Sequence, residues 1–342
     1  MKAAAGSAQD PTPALARWLI GALDARGAQI TRFEKLGGGA IQENWALDVV
    51  LTGGARAGRH ALVLRTDAAS RVASSHTRAQ EFALLSRAWA AGVTVPEPLA
   101  LATDTGVLGK PFYVMTRLAG TAAGHVLVRD DRWRGDRAAL AQRLGSELAR
   151  IHTIARPQSG LEFLTVPAGQ PAKETVAALR GWLDSYRMPR PALEWGLRWL
   201  DRHAPPRGLV RLLHRDFRTG NYLVDDNGLT GILDWEFAGW GDPDEDIGWF
   251  CAKCWRFGAI AREAGGIGER RDFYRGYEEA SGRRIDADAI RYWEILAHAR
   301  WAVVALQQGE RHVAGGETSL DLALTGRRIA ELEYELLQAT AP

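Results

Sequence analysis

A chain of 342 residues, 46% hydrophobic and 25% charged, carries enough apolar material for one large domain or two lobes with cores of their own. Its formal net charge of +2 is too balanced for nucleic acid to be the main partner, and no apolar run is long enough to span a bilayer. With only 2 cysteines, Cys251 and Cys254, a disulfide framework is excluded and a reducing cytoplasm is the natural compartment.

Met1 to Pro13 is rich in Ala, Gly and Pro and is expected to be unstructured. It does not read as a secretory signal, because no apolar core follows Lys2 before Pro11 and Pro13. Pro13 to Ala28 reads as a helix with Leu15, Leu19 and Leu23 on one stripe. Residues 30–36 alternate like a strand and run into Gly37-Gly38-Gly39-Ala40. Strands over 44–50 and 60–65 follow, then a helix from about Arg71 to Ala91 that Gly92 ends. Pro96 and Pro98 force an extended segment, and 99–103 and 111–115 read as two more strands. From Asp136 the chain turns helical. Arg137 to Ile154 is amphipathic, and Lys173 to His203 is a helical pair broken at Pro189 and Pro191. Later helices are expected near 244–255, 269–281, 287–308 and 320–337. The fold class is therefore α+β: a small antiparallel five-stranded lobe over 14–115, a hinge near residue 116, and a large mostly helical lobe over 116–342.

One stretch carries chemistry. An apolar run leads into His214-Arg215-Asp216, a polar loop ends in Asn221, and the turn Asp226-Asn227-Gly228 separates two strand-like runs, the second ending in Asp234. The pattern matches His-Arg-Asp-x-x-x-x-Asn of phosphoryl-transfer loops at every fixed position. Asp216 suits a base for an attacking hydroxyl. Asn221 and Asp234 suit ligands for a hard cation such as Mg²⁺ bound to a nucleotide. The bland alternative is that Asp216 caps the loop and Asn221 is an ordinary turn residue.

Other sites have the same two sides. The turn Gly37, Gly38, Gly39, Ala40, Ile41, Gln42, Glu43, Asn44 lets backbone N–H groups approach phosphate oxygens, or is only a flexible hairpin. It is no Walker loop, since no Gly-Lys-Ser/Thr follows. Arg65 ends the third strand and Glu81 lies on the next helix, so a carboxylate-held cation over phosphates competes with a surface ion pair. Asp242 and Asp244 read as helix N-capping acids, and Asp246 as either structural or a brace for the catalytic loop. Cys251 and Cys254 form a lone C-x-x-C without two further zinc ligands and read as half-buried thiols in a helix. His125, His152 and His298 read as isolated core or surface residues, and the Trp-rich C-terminal helices as packing.

Together these motifs resemble the aminoglycoside phosphotransferase-like family of small-molecule kinases, related to choline kinases and to the two-lobed protein-kinase fold. The resemblance runs from about Thr31 to Gln338. It rests on residues 37–45, 64–65, Glu81, 111–115, 148–152, 214–221 and 232–243. It implies Asp216 as catalytic base, Asn221 and Asp234 as metal ligands, and the Gly37–Asn44 turn over the phosphates. It also implies a hinge at Met115, Thr116, Arg117 and Leu118 for adenine, which Val63, Leu223 and Leu233 would sandwich. The chain departs from many members by carrying Arg65 in place of Lys, and Asp234-Trp235-Glu236 stands where protein kinases have Asp-Phe-Gly. No long activation segment or Ala-Pro-Glu follows Asp234, which disfavours a peptide substrate.

The expected function is ATP- and Mg²⁺-dependent phosphorylation of a small-molecule hydroxyl, with GTP as an alternative donor. Aminoglycosides or other antibiotics and hydroxyacyl-CoA-type metabolites are rival acceptors. Arg180, Arg187, Arg190, Arg256, Arg262, Arg300 and Arg311 in the expected acceptor wall tilt the choice away from polycations. A nucleotide-binding module without catalysis is the rival of another class. No oligomeric state follows from the sequence.

Overall fold

The computed structural model describes residues 10–37, 42–68, 75–129, 133–206, 208–315 and 317–341. Two compact units divide it: Met1–Trp89 with Pro96–Leu118, and Ala90–Val95 with Ala119–Pro342.

The first unit is a five-stranded antiparallel sheet with two helices. Its elements are α1 (Thr12–Ala22), β1 (Gly27–Lys35), β2 (Gln42–Thr52), β3 (Gly58–Asp67), α2 (Arg78–Ala90), β4 (Pro98–Ala102) and β5 (Phe112–Thr116). Strand order is β1-β2-β3-β5-β4. Alternation along the strands sends Leu47, Val49 and Leu51 of β2 and Leu62 and Leu64 of β3 into a core that Leu15 and Leu19 of α1 cover. Trp18 of α1 meets Phe112 of β5 edge-on at 4.7 Å. Helix α1 already begins at Thr12, inside the segment expected to be unstructured, and stops at Ala22, six residues short of the helix read from the sequence.

The second unit contains α3 (Gly124–Arg129), α4 (Arg137–Ile151), α5 (Pro171–Ser185), α6 (Pro191–Arg202), β6 (Arg211–Leu213), β7 (Tyr222–Asp225), β8 (Gly228–Ile232) and β9 (Gly239–Gly241). It continues with α7 (Pro243–Cys251), a 3-10 turn (Lys253–Trp255), α8 (Arg270–Ser281), α9 (Ala287–Val313), α10 (Leu320–Arg327) and α11 (Ile329–Thr340). The short segment after α2 belongs here for a visible reason. Buried Glu147 of α4 accepts hydrogen bonds from the Thr94 amide at 2.7 Å and hydroxyl at 3.0 Å, and Ile232 N–H of β8 donates to the Thr94 carbonyl at 2.8 Å. Helices α4 and α8 pack through reciprocal glycines. A Cβ at Gly145 would lie 2.0 Å from the Phe273 carbonyl oxygen, and one at Gly276 would lie 1.9 Å from that of Gln142. Only glycine permits so close a backbone approach.

Several local expectations change. The run before His214 pairs with β9, not with the hairpin: Leu212 lies opposite Trp240. Strand β8 ends at Ile232, so Asp234 stands beyond the strand rather than at its tip. Residues 320–337 are two helices, and Gly326 of α10 rests directly on Gly309 of α9. Extended backbone at Ala252 stops α7, so Cys251 and Cys254 do not share a helix. Both thiols are buried in the core rather than half-exposed. Burial raises the pKa of each, to about 12 for Cys254, so neither is a reactive thiolate.

Candidate active site

In the second unit, β6 leads into the loop 214–221 and β7–β8 leads out of it. The loop is held from below by Asp246 of α7. Its carboxylate accepts the backbone N–H groups of His214 at 2.7 Å and Arg215 at 2.8 Å, and the ring Nε2 of His152 at 3.3 Å. His152 Nδ1 pairs with the Tyr277 hydroxyl at 2.8 Å. Asp246 is fully buried. Burial alone would raise its pKa, but the hydrogen bond and charge of His152, with the His214 backbone hydrogen bond, outweigh this and hold it below 3.8. Of the two readings open for Asp246, this geometry is that of a brace. His152 is accordingly no isolated core histidine. Asp242 caps α7 through the Asp244 amide at 3.0 Å, whereas Asp244 itself pairs with Arg283 at 2.5 Å.

The brace supports strained backbone. Arg215 has φ 63° and Asp234 φ 69°, left-handed conformations that cost energy for residues with a Cβ. His214 links these two places. Its Nδ1 accepts the Asp216 N–H at 3.3 Å, so Nε2 carries the hydrogen that it donates to the Leu233 carbonyl at 2.8 Å. Leu233 N–H in turn donates to the Asn221 carbonyl at 2.8 Å. Residue 234 is thereby fixed beside the loop that holds 216 and 221.

The Asp216 carboxylate is surrounded by donors. Oδ1 accepts Arg218 Nε and Trp249 Nε1, both at 3.1 Å, and Oδ2 accepts Asn221 Nδ2 at 2.5 Å. Asn221 Nδ2 also donates to the Asp216 carbonyl at 2.9 Å. With its nitrogen so engaged, Asn221 has its side-chain oxygen left to accept a further contact. That oxygen and the Asp234 carboxylate are the hard donors that suit Mg²⁺. Among the described residues no three His, Cys, Asp or Glu side chains cluster as a metal cage. The residues thus fit an ion held partly by phosphate oxygens, the usual way Mg²⁺ is bound.

Trp249 and Arg218 are site residues that the sequence reading missed. Trp249 lies three residues after Asp246 on α7, the spacing that puts both on one helix face, and that was the available signal. Arg218 stands at a variable position of the motif and drew no notice for that reason. Around them, Arg300 stacks over Trp249 at 4.5 Å and Arg218 over Trp255 at 4.6 Å. Of the arginines expected in the acceptor wall, Arg180, Arg190 and Arg311 pair with Glu194, Glu333 and Glu317. Arg256 and Arg262 donate to the carbonyls of Cys251 and Val128. Arg300 is the member of that set stacked against a neighbour of Asp216.

In the first unit, Arg65 Nε lies 2.9 Å from Glu81 Oε1, with both side chains nearly out of solvent, so this is no surface ion pair. Arg78 shares the same carboxylate, and Arg65 Nη1 reaches Asn44 Oδ1 at 3.4 Å. Val63 and Met115 are buried cross-strand partners on β3 and β5. Thr116 N–H donates to Glu97 and Arg117 N–H to Ala61, while Leu118 N–H has no partner among the described residues. Of residues 115–118, expected to contact a nucleotide base, Leu118 is therefore one with a backbone donor to offer. Glu43 accepts Lys110 and Lys35, each at 2.7 Å, and these hydrogen bonds lower its pKa to about 2. Gly37 has open space where a Cβ would stand, so no contact among the described residues demands glycine there. Gly38, Gly39, Ala40 and Ile41 lie outside the described residues. Leu223 on β7 and Leu233 after β8 are half-buried in the second unit.

Residues 33–283 match the model of APH, the phosphotransferase enzyme family. The chain belongs to this family. Its phosphotransferase relatives of known structure share the fold. The chain aligns with a putative aminoglycoside phosphotransferase from Ralstonia eutropha at TM-score 0.74 and 22% identity, over 96% of this chain and 97% of that one. A spectinomycin phosphotransferase in complex with ADP and spectinomycin aligns at TM-score 0.62 and 13% identity, over 95% and 98%. A choline/ethanolamine kinase family protein from Mesorhizobium loti aligns at 0.55 and 20%, over 90% and 88%. Among curated proteins, the mouse acyl-CoA dehydrogenase family member 10 is 28% identical over 52% of this chain and 17% of its own length. The Pongo abelii acyl-CoA dehydrogenase family member 11 is 23% identical over 77% and 35%. The phosphotransferase chain thus matches about a third or less of these relatives' lengths. Among the described residues no helix is long and apolar enough to cross a membrane.

Proposed function

We propose that this APH-family chain transfers the γ-phosphate of ATP to a hydroxyl of a small molecule, with Mg²⁺ bound to the nucleotide. The observation that carries this reading is that Asp216 and Asn221 are hydrogen-bonded on one braced loop, with residue 234 tied beside it through the Leu233 N–H to the Asn221 carbonyl. Asp216 accepts the hydroxyl proton, and Asn221 and Asp234 hold the metal, which neutralises phosphate charge when bound. The first unit supplies Arg65, anchored by Glu81, as a cation for the phosphates. It also supplies the 37–44 turn for their oxygens and the Leu118 amide, with Met115 to Arg117, for the base. Val63, Leu223 and Leu233 are the apolar candidates to contact the base. Positioning and charge neutralisation provide most of the rate in such chemistry.

For the acceptor, a neutral or anionic alcohol is favoured over a polycationic aminoglycoside. The carboxylate of Asp216 already faces Arg218, and Arg300 lies against its neighbour Trp249. The acyl-CoA dehydrogenase names of the curated relatives support an alcohol on an acyl thioester as the first class to try.

The test is a screen of hydroxyl-bearing metabolites and antibiotics with Mg-ATP and Mg-GTP, read by the mass of the phosphorylated product. Asp216→Asn should abolish product while nucleotide affinity stays near that of wild type. A chain that binds Mg-ATP and phosphorylates nothing would be a binding module, and the enzyme reading would fail.

A further inference from the structure

The reading of Asp216 as base leaves open what faces the phosphoryl group from the loop itself. The carboxylate has about four lone-pair sites, two on each oxygen. Oδ1 already accepts two donors, from Arg218 and Trp249, whereas Oδ2 accepts one, from Asn221. Oδ2 is therefore the atom with room for an acceptor hydroxyl.

Arg218 is placed for more than this one contact. Its guanidinium lies on the face of Trp255 at 4.6 Å, Nε bonds Asp216 Oδ1, and Nη1 donates to the Thr219 carbonyl at 3.3 Å. A Cβ at Gly220 would stand 2.8 Å from Nη1, and Gly220 has φ 111°, so the seat also depends on glycine at the next turn of the loop. Nη2 has no partner among the described residues, and the side chain is 25% exposed. A planar guanidinium held on three sides, with one amino group left toward solvent beside a base, is a preorganised anion donor.

We propose that Arg218 is a catalytic cation of this phosphotransfer, its Nη2 donating to a non-bridging oxygen of the transferred phosphoryl group while its Nε orients Asp216. The inference rests on the reading of Asp216 as base. In the step, the acceptor O–H gives its proton to Asp216 Oδ2 and the acceptor oxygen's lone pair forms the new O–P bond. The bond from phosphorus to the leaving oxygen breaks, and its electron pair stays on the nucleoside diphosphate. Arg218 gains nothing covalent; it meets the charge that spreads over the phosphoryl oxygens.

The probe is Mg-ATP with water as acceptor, read as ADP release, together with the dissociation constant for Mg-ATP and the melting temperature. Arg218→Met should lower kcat about 100-fold or more, the range found for loss of one preorganised donor, with ATP affinity and melting temperature close to wild type. Arg218→Lys should recover part of the rate, since it restores charge without the fork. Wild-type kcat in Arg218→Met, alongside an inactive Asp216→Asn, would overturn the role of Arg218 and leave the base intact. A rate lost equally in the Lys variant, or lost with a lowered melting temperature, would make Arg218 structural and overturn the proposal too. Full activity in Asp216→Asn, or Mg-ATP binding with neither ADP release nor any phosphorylated acceptor in wild type, would remove the parent reading and this inference with it.

Discussion

Trp249 donates its indole N–H to Asp216 across a separation of 33 residues, at 3.1 Å. The helix that carries Trp249 also carries Asp246, so one element both fixes the loop backbone and aims the carboxylate that the loop presents. Trp249→Phe keeps the ring and deletes the donor. One hydrogen bond to a charged group contributes about 1.5 kcal/mol, so kcat should fall about tenfold. Nucleotide affinity should hold, and the melting temperature should fall by no more than the loss of one such bond. Steady-state ADP release beside calorimetry separates these, and an unchanged kcat would show that the indole only packs.

Asp246→Ala leaves two buried backbone donors and the His152 ring without their acceptor. Breaking such a buried network costs about 3 kcal/mol or more, so the variant should unfold at clearly lower denaturant concentration. The sign with pH follows from the depressed pKa. The contribution is complete above the unfolded value of 3.8 and is lost as pH falls through the lower folded value. Acid titration of stability below 3.8 should therefore be shallower in Asp246→Asn than in wild type.

Asp242 points the other way. Burial raises its pKa from 3.8 to about 6, with the cap hydrogen bond from Asp244 only partly opposing. The folded state thus holds this proton more tightly than the unfolded chain, and stability falls as pH rises from 3.8 to about 6. Asn is an equally good N-cap. Asp242→Asn should abolish that fall and at pH 7 gain on the order of 1 kcal/mol. Urea melts at a series of pH values would show it, and a variant less stable than wild type at pH 7 would contradict it.

Glu81 serves two guanidiniums, those of Arg65 and Arg78, all three side chains nearly out of solvent. Glu81→Ala removes the carboxylate that two buried cations share, although Arg78 keeps Asp67 and Arg65 keeps Asn44, and should cost about 3 kcal/mol. If Arg65 meets nucleotide phosphates, ATP affinity should fall as well. Isothermal titration at a temperature where the variant remains folded separates the two effects.

The arrangement of strands and most helices was legible because burial is patterned: every second residue over 47–51 of β2, a continuous buried run over 62–66 of β3, and every third or fourth residue in α4. Positions 216, 221 and 234 were legible because a short loop and a hairpin are local objects. Helix ends were not. The stop of α7 at Cys251 depends on extended backbone at Ala252 rather than on a glycine or proline signal, and so the two thiols were misplaced. Trp249 meets Asp216 only through tertiary placement, 33 residues away, so the pairing is not written in the local sequence. Arg78 and Arg218 pair locally, with Glu81 and Asp216, but at spacings that exposed arginines share without pairing.

The paired glycines of α4 and α8 bear on how the protein tolerates change. Gly145 and Gly276 let two backbones touch, and that contact fixes the spacing between His152 at the end of α4 and Tyr277 on α8. His152 steadies Asp246, and Asp246 holds the loop. An added methyl at either glycine would push apart two helices that carry no proposed ligand contact, yet its effect would arrive at Asp216 through the side chains of Tyr277, His152 and Asp246 and the loop backbone. Fitness scans of this chain should thus show a line of intolerance running from a helix crossing to the loop, with a single absent methyl group as its origin.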